Sequence, residues 1–455
     1  MYGAELREAL NAAGAPALIP KIIDPLLLEY QRRYAPLLRA IPSFRWGTDV
    51  YHFNRRTANP NGGFVTDGGA RPVTHSTYVQ NNFQMRHLQV VGGVTGYAQE
   101  VTRQVIGNLR ATEIEGSIQG LYWDMETAVL WGNEGATQYG AYPQFSGFDS
   151  LLSNYSGAEQ NALDMAGGSL SLSMLDRLAD MVETNAAMSV FSSDWMFVMS
   201  NTAESRIAQL LQNQQRFMNS VEVAAGLLVP SYRNIPIVKS SFLSTRGYSL
   251  GTVTSATATT GGSLPAATYF YKVSAVVARQ GEIAASAEVS QATTGAASTV
   301  TLSFSPPTGL DGASPILYKV YRSTATGTQT LLGVVDATVG VGSDGVTPIA
   351  TTSIVDDGVK LTPKNGSTIP ATNPPVYQGT NTNKFPPTAG QESIFLVPRD
   401  RSILCRPYVR ELTPVDVYPT TQAPDTLPYA IVSDTTLALR APKFIGGAYR
   451  VGVAL

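Results

Sequence analysis

Apolar and polar residues alternate in step along several short stretches between about Tyr248 and Thr362. Tyr269, Tyr271, Val273, Ala275 and Val277 fall on one face of an extended chain, followed by Val300, Leu302 and Phe304, then Ile316, Tyr318 and Val320. Period-two runs punctuated by Gly, Pro and Asp predict a small β-sandwich with no helix. The sequence on either side has a different rhythm. Ile114, Ile118, Leu121, Met125 and Val129 recur at helical spacing, with Arg110, Glu113 and Asp124 on other faces. They predict one helix over Gln99–Trp131, a strut on the order of 50 Å at 1.5 Å per residue.

Further elements follow from the same rules. Ala15–Ile41 reads as an extended entry and a helix, with Pro25 suited to a first turn. Val50, Tyr51 and Phe53 open a long excursion that Tyr78, Phe83, Met85, Leu88 and Val90 close, around the turn-rich tip NPNGGFVTDGGARP. Such a hairpin is too long and too polar to be stable alone, so it is expected to lie on something else, a neighbouring subunit. Ser171 or Ser173 can cap a helix with the stripe Leu175, Leu178, Met181 and Val182. DWMFVM (194–199) predicts a buried strand, Ala203–Arg216 a third helix, and Val221–Leu243 a return to strands. A Pro/Asn/Gly/Thr linker (Pro363–Thr382) leads to further strands in Gln391–Leu455.

Composition narrows the class. The 455 residues, 43% hydrophobic and 15% charged, describe a globular chain of roughly three domains. A net charge of -2 argues against a dedicated nucleic-acid binder. Arginines nevertheless crowd the stretch from Ile22 to Arg110, which reads as a solvated or intersubunit face. Cys405 is the single cysteine, so no intrachain disulfide forms. With neither a signal-like N-terminus nor a run near the ~18 apolar residues of a membrane span, the expectation is folding in a cytoplasm. Nor does Met1 onward give a sign of a removed scaffolding segment, which leaves a separate scaffolding protein open.

Candidate chemistry is thin. His52, His75 and His87 all lie in the hairpin region without metal-ligand spacing. Gly340, Gly342 and Gly345 satisfy GxGxxG, but between strands and not before a helix. Asp356-Asp357 and Asp311 read as turn formers before calcium ligands. Asn154 and Asn365 head glycosylation sequons by pattern only. No catalytic, cofactor or metal residue is proposed, and the expectation is a non-enzyme.

The order of these pieces resembles the major capsid proteins of tailed bacteriophages, the Hong Kong 97-type capsid fold. GGFVTDGGARPVTHSTYVQNNFQMRHLQVVGGVT resembles that family's extended loop and return strand. EIEGSIQGLYWDMETAVLWGNEG with PQFSGFDSLLS resembles its spine helix and following turn. SLSMLDRLADMVETN with DWMFVMSNTAESRIAQL is similar to its central lobe, and SYRNIPIVKSSFL with DTTLALRAPKFIGGAYRVGVA to its closing strands. The insert resembles fibronectin type III or immunoglobulin-like domains, with Phe304 where an early tryptophan is usual and with its strands out of the usual order.

The resemblance implies an α+β capsid fold: an N-terminal arm (1–46), an extended hairpin loop (47–97), a peripheral domain with spine helix and the first part of an axial domain (98–247), an inserted immunoglobulin-like sandwich (248–362), a linker (363–383) and return strands (384–455). It implies a virion shell of hexamers and pentamers enclosing double-stranded DNA, assembled in the bacterial cytoplasm. Portal, scaffolding and cement or decoration proteins are the partners, with non-specific contact to DNA and none to membrane. Some members cross-link through a loop lysine, but no lysine lies between Lys21 and Lys239, so a noncovalent head is expected. The intersubunit candidates are Arg55, Arg56, Asp67 and Arg71 on the loop and Glu113 and Glu115 on the helix, with salt pairs from the three arginines to carboxylates such as Glu113 or Glu115 on a neighbour's helix. Two other readings remain, an encapsulin-like shell and a carbohydrate-binding surface or tail protein. The insert is expected to be an accessory module.

Overall fold

The computed structural model describes residues 36–71, 73–103, 108–133, 144–153, 160–213, 219–224, 227–243, 248–307, 313–341, 347–366, 376–377, 385–417 and 425–453. The expected helix after Pro25, Asp311, Gly342, Gly345, Asn154 and most of the 363–383 linker lie outside them.

Two compact units emerge. One contains Val90–Ile118 and Pro414–Ile431, the other Arg33–Gln89, Gln119–Thr413 and Val432–Leu455. In the smaller unit, Tyr429 organises the packing. Its hydroxyl lies 2.9 Å from Ser117 Oγ and donates to the Glu113 carbonyl at 3.3 Å. Gly92 leaves room for its ring, since a Cβ there would come within 2.5 Å of Tyr429. Asp425 accepts from Tyr97 N at 3.2 Å, and its carbonyl accepts from Gly96 N at 2.7 Å.

The larger unit is centred on a seven-stranded mixed sheet. Its order is Asn161–Asp164, Gly446–Gly452, Gln391–Pro398, Trp195–Met199, Ile235–Lys239, Leu227–Tyr232 and Asn219–Ala224. The central strand WMFVM is buried throughout. Trp195, Phe197 and Met199 point into one core, which holds the helix Leu172–Ala186. Met196 and Val198 point into the other, with Val129, Leu130 and Trp131 from the end of the long helix. Both faces are covered, so the strand reads as a continuous apolar run. Ser171 caps its helix, accepting from Met174 N at 3.3 Å, and the stripe residues Leu175, Leu178 and Val182 are buried as expected.

One element differs from expectation. The single strut over Gln99–Trp131 is two helices, Gly96–Thr102 and Leu109–Trp131. Asn108 starts the second, its side chain accepting from Ala111 N at 3.1 Å, a helix-start signal inside the periodic run. The remaining 23-residue helix spans about 35 Å.

Residues 254–377 hold two five-stranded antiparallel sheets and a two-stranded one, Thr338–Val341 with Pro348–Ala350. One runs Thr254–Ala258, Thr299–Ser303, Ser353–Asp356, Lys360–Lys364 and Val376–Tyr377. The other runs Gly281–Glu282, Thr268–Val277, Pro315–Ser323 and Thr330–Asp336, with Val289–Ala292 also on Thr268–Val277. Of the residues predicted to share a face, Tyr269, Tyr271, Val273, Ala275, Val277, Val300, Leu302, Phe304, Tyr318 and Val320 lie in the core between the sheets, whereas Ile316 packs against the core of the seven-stranded sheet. Phe304 packs on Tyr318, ring centroids 4.7 Å apart. Val376–Tyr377 extends the first sheet into the stretch read as a linker.

Candidate assembly surfaces

The hairpin has a fixed root and an uncovered tip. Val50–Ala58 pairs with Thr77–Gln84, Val50 opposite Gln84 and Ala58 opposite Thr77. At the root, Phe44, Trp46, Tyr51, Phe53 and Phe83 pack edge-to-face or stacked, with the Trp46 and Tyr51 centroids 5.0 Å apart. The Arg401 guanidinium lies 4.0 Å from the Phe44 ring, and Arg440 donates to the Tyr51 hydroxyl at 2.7 Å. Buried Cys405 packs in the same cluster. Aromatic contacts and cations over ring faces each add to area burial, so the root is held firmly. The tip has none of this: Phe64 is 108% exposed, and Val65, Val73, Tyr78 and Val79 are exposed with it.

The six charged residues chosen as intersubunit candidates stand on the surface. Arg55 and Arg56 face Val79 and Tyr78 across the ladder. Asp67 and Arg71 lie in the tip, where Arg71 folds over Gly63 so closely that a Cβ on that glycine would clash with the guanidinium. Glu113 and Glu115 are exposed on the long helix. Among the described residues none of the six is in an ion pair within its own chain.

His52 and His75 are exposed, while His87 has a partner that sequence could not supply. Its Nδ1 lies 2.6 Å from Asp434 Oδ1, and Arg410 holds the other oxygen of the same carboxylate. Burial would raise the Asp434 carboxyl, but Arg410 and His87 hold it below the usual carboxylate range. The cluster is a structural ion pair. The Asp pair of the insert is likewise committed: Asp356 accepts from Tyr271 Oη at 2.8 Å and Arg322 Nη1 at 2.7 Å. Asp357 caps the turn, accepting from Val359 N and Lys360 N at 2.8 Å each.

The junction of the insert with the rest of the larger unit carries the least expected chemistry. Lys319, fully buried, donates to Glu282 Oε2 at 2.6 Å and to Asp149 Oδ2 at 2.8 Å, with its ammonium 4.9 Å from the Trp131 ring. Burial pulls the lysine down, yet the two carboxylates outweigh it and hold the ammonium above the ordinary lysine range. Glu282 Oε1 accepts from Ser274 Oγ at 2.8 Å and Tyr321 Oη at 2.9 Å. Nearby, the hairpin turn of the insert presses on the long helix. Arg279 forks onto Asp124 at 2.8 and 3.1 Å, and its N–H donates to Thr127 Oγ1 at 3.2 Å. Gly281, at φ +94°, leaves no room for a Cβ, which would lie 2.0 Å from the Phe242 carbonyl oxygen. The second face of the strands Thr268–Val277 and Pro315–Ser323 is therefore buried too: Val276 and Leu317 join the core of the seven-stranded sheet. The insert is thus docked through a buried sheet face and not held at its two ends alone. A weak sign was present in sequence, because Leu317 and Tyr321 make the supposed outer face half apolar.

Two further buried carboxyls, Glu126 and Asp336, have no cation beside them among the described residues. Glu126, on the long helix, accepts from Leu37 N at 3.0 Å and Ser240 Oγ at 2.7 Å, and burial pushes it up to about 8. Asp336 accepts from Thr338 N at 3.0 Å, and burial pushes it up to about 7. Asp336 lines a cleft of about 670 Å³ whose walls include Leu88, Met125, Phe145, Ile316 and Ala350.

No curated protein matches the chain. Among solved structures, the chain resembles the holo-SrpI encapsulin complex from Synechococcus elongatus PCC 7942 at TM-score 0.42 and 10% identity, covering 98% of this chain and 96% of that one. Mycobacterium phage Adephagia gives 0.45 and 10%, with 97% of each chain covered, and Gordonia phage Cozz 0.44 and 12%, with 96% and 93%. The family model of the SU10 major capsid protein matches residues 40–258, just under half of the sequence. That match takes in the hairpin, both helices of the strut and the first strands of the seven-stranded sheet, and it ends as the sandwich begins. From residue 40 to residue 258, the chain is built like the major capsid protein of a phage.

Proposed function

We propose that this chain is the major capsid protein of a tailed double-stranded DNA bacteriophage, self-assembling as hexamers and pentamers of an icosahedral head. The observation that carries the reading is the hairpin, a firmly rooted arm with an uncovered apolar tip, lying within the segment that matches a major capsid protein. An arm of this kind gains its stability from a neighbour, and many weak contacts repeated around a closed shell add up through multivalency. The role is structural, with no catalytic step. Arg55, Arg56 and Arg71 would meet Glu113 and Glu115 of the next copy in exposed pairs, each worth at most about 1 kcal/mol, with Asp67 a further contact candidate on the loop. The hairpin carries no lysine, so the head is held noncovalently at this loop. The sandwich is read as an immunoglobulin-like insertion. Portal, scaffolding and cement proteins, and non-specific contact with packaged DNA, complete the proposed set of partners in a virion built in the host cytoplasm.

Electron microscopy of the protein made in bacteria, and of particles from infected cells, tests the reading. Icosahedral shells with DNA in the infected-cell particles are the expected result. Shells filled only with protein cargo, or no shells at all, would overturn it.

A further inference from the structure

Lys319, Asp149 and Glu282 bring one positive and two negative charges into a site where the three side chains are 2%, 6% and 7% exposed. One carboxylate would be enough for the lysine, and a second buried beside it is costly. The geometry is that of a reacting set. Lys319 Nζ touches Asp149 Oδ2 at 2.8 Å and Glu282 Oε2 at 2.6 Å. Glu282 is pinned at its other oxygen by Ser274 Oγ and Tyr321 Oη, which suits a proton carrier and not a carbon that must become tetrahedral. Asp149 is therefore the acyl partner. Buried Trp131, Phe148 and Phe395 close this region of the core against water. Burial first, then Asp149 and Glu282, hold the Tyr449 hydroxyl well above its usual range, so it stays a proton donor beside the pair. A void of about 10 Å³ adjoins Glu282, walled by Trp131, Leu243, Glu392 and Arg450, whose guanidinium is committed to Asp164. It has room for about one water.

We propose that Lys319 and Asp149 condense, once per chain, to an isopeptide bond, with Glu282 carrying the proton. The ammonium proton passes through Glu282 to Asp149, which leaves a neutral amine, a neutral carboxylic acid and the Glu282 carboxylate. This form holds the same protons as the ion-paired set, and a site sheltered from water favours neutral groups. Nζ then attacks Cγ of Asp149 and the N–C bond forms. Glu282 takes a proton from the nitrogen and delivers it to the hydroxyl oxygen, the C–O bond breaks, and one water leaves into the adjoining void. Glu282 ends as it began, and nothing is oxidised or reduced. Free amines and acids hardly condense in water, but groups held in contact react as if at about 10⁵–10⁸ M. Because the carboxylates favour the ammonium, the reactive amine is a minor form and the step is slow. It is a single self-modification, not a turnover. The bond lies inside one chain and away from the hairpin. It joins the helix Phe148–Ser153 to the strand Pro315–Ser323 across 170 positions and leaves subunits separable.

The test reads the subunit itself and does not rest on the shell reading. Full-length chain made in bacteria is held folded at neutral pH and weighed by intact mass spectrometry. The expected result is a chain lighter by one water, with a tryptic peptide containing Lys319 joined to one containing Asp149. Lys319→Arg and Glu282→Gln should keep the full mass. On denaturing gels the linked chain should run as a single band displaced from that of Lys319→Arg, with no ladder. Thermal melts establish that the variants are folded, and the wild-type mass stands without any variant. Folded wild-type chain of full mass after prolonged incubation, with both peptides recovered unlinked, would overturn the proposal. So would Lys319 joined to Glu282, or a bond that forms at an unchanged rate in Glu282→Gln. Unfolding measured on chain that retains the water reports the ion pair alone.

Discussion

Replacing Lys319 by methionine should damage the whole larger unit, not the sandwich alone. The ammonium sits between Asp149 and Glu282, at 2.8 and 2.6 Å. Methionine fills most of the volume but leaves two carboxylates buried together. Removing one partner of a buried ion pair costs about 3–5 kcal/mol, a large share of a total stability of about 5–15 kcal/mol. Asp149 belongs to the helix Phe148–Ser153, and Glu282 and Lys319 belong to the insert, so the loss falls on the bond between them. Urea unfolding of unassembled subunits, followed by tryptophan fluorescence to which Trp131 beside the lysine contributes, measures it. A single transition shifted by this amount is expected. Adding Asp149→Asn and Glu282→Gln to K319M removes the stranded charge and should recover most of the loss. A K319M penalty below about 1 kcal/mol, as for a surface pair, would refute the reasoning. So would two separate transitions, with only the sandwich affected.

Gly281→Ala forces a Cβ against the Phe242 carbonyl in a left-handed backbone conformation. It should destabilise by well over 1 kcal/mol and raise hydrogen exchange at the junction, whereas Gly261→Ala, in open space at a similar φ, should have a much smaller effect. Glu126 takes up a proton on folding, because its folded value of about 8 lies above the ordinary carboxylate range. Its contribution is complete below the unfolded value and is lost as pH rises toward 8, at up to about 1.4 kcal/mol per pH unit. Asp336 adds in the same direction up to about 7. Wild-type urea midpoints should therefore fall between pH 5 and pH 8, and Glu126→Gln should flatten that slope; an unchanged slope would reject the assignment. Denaturing electrophoresis of mature particles should show single chains, since the hairpin has no lysine; a covalent ladder would contradict the noncovalent head. Deleting residues 248–362 should expose Val276's and Leu317's neighbours in the shared core and prevent assembly, and shells of normal stability from that deletion would reinstate an accessory insert.

Local pattern carried far in this chain. The Ser171-capped helix, the buried strand WMFVM, the long hairpin and the inward face of the sandwich were all legible, because each depends on periodicity and turn chemistry within a few residues. The order of these pieces also pointed to a capsid-type subunit. What the tertiary structure alone decided is which second faces are covered. Ser274 and Lys319 look like the wet side of a strand until Asp149, from a helix some 170 residues earlier, is brought to 2.8 Å from the ammonium. His87 gains Asp434 across 347 positions in the same way. Alternation specifies which residues share a face, but not what a face meets. That depends on contacts between distant segments, and a buried charge is tolerable only once the fold has delivered its partners.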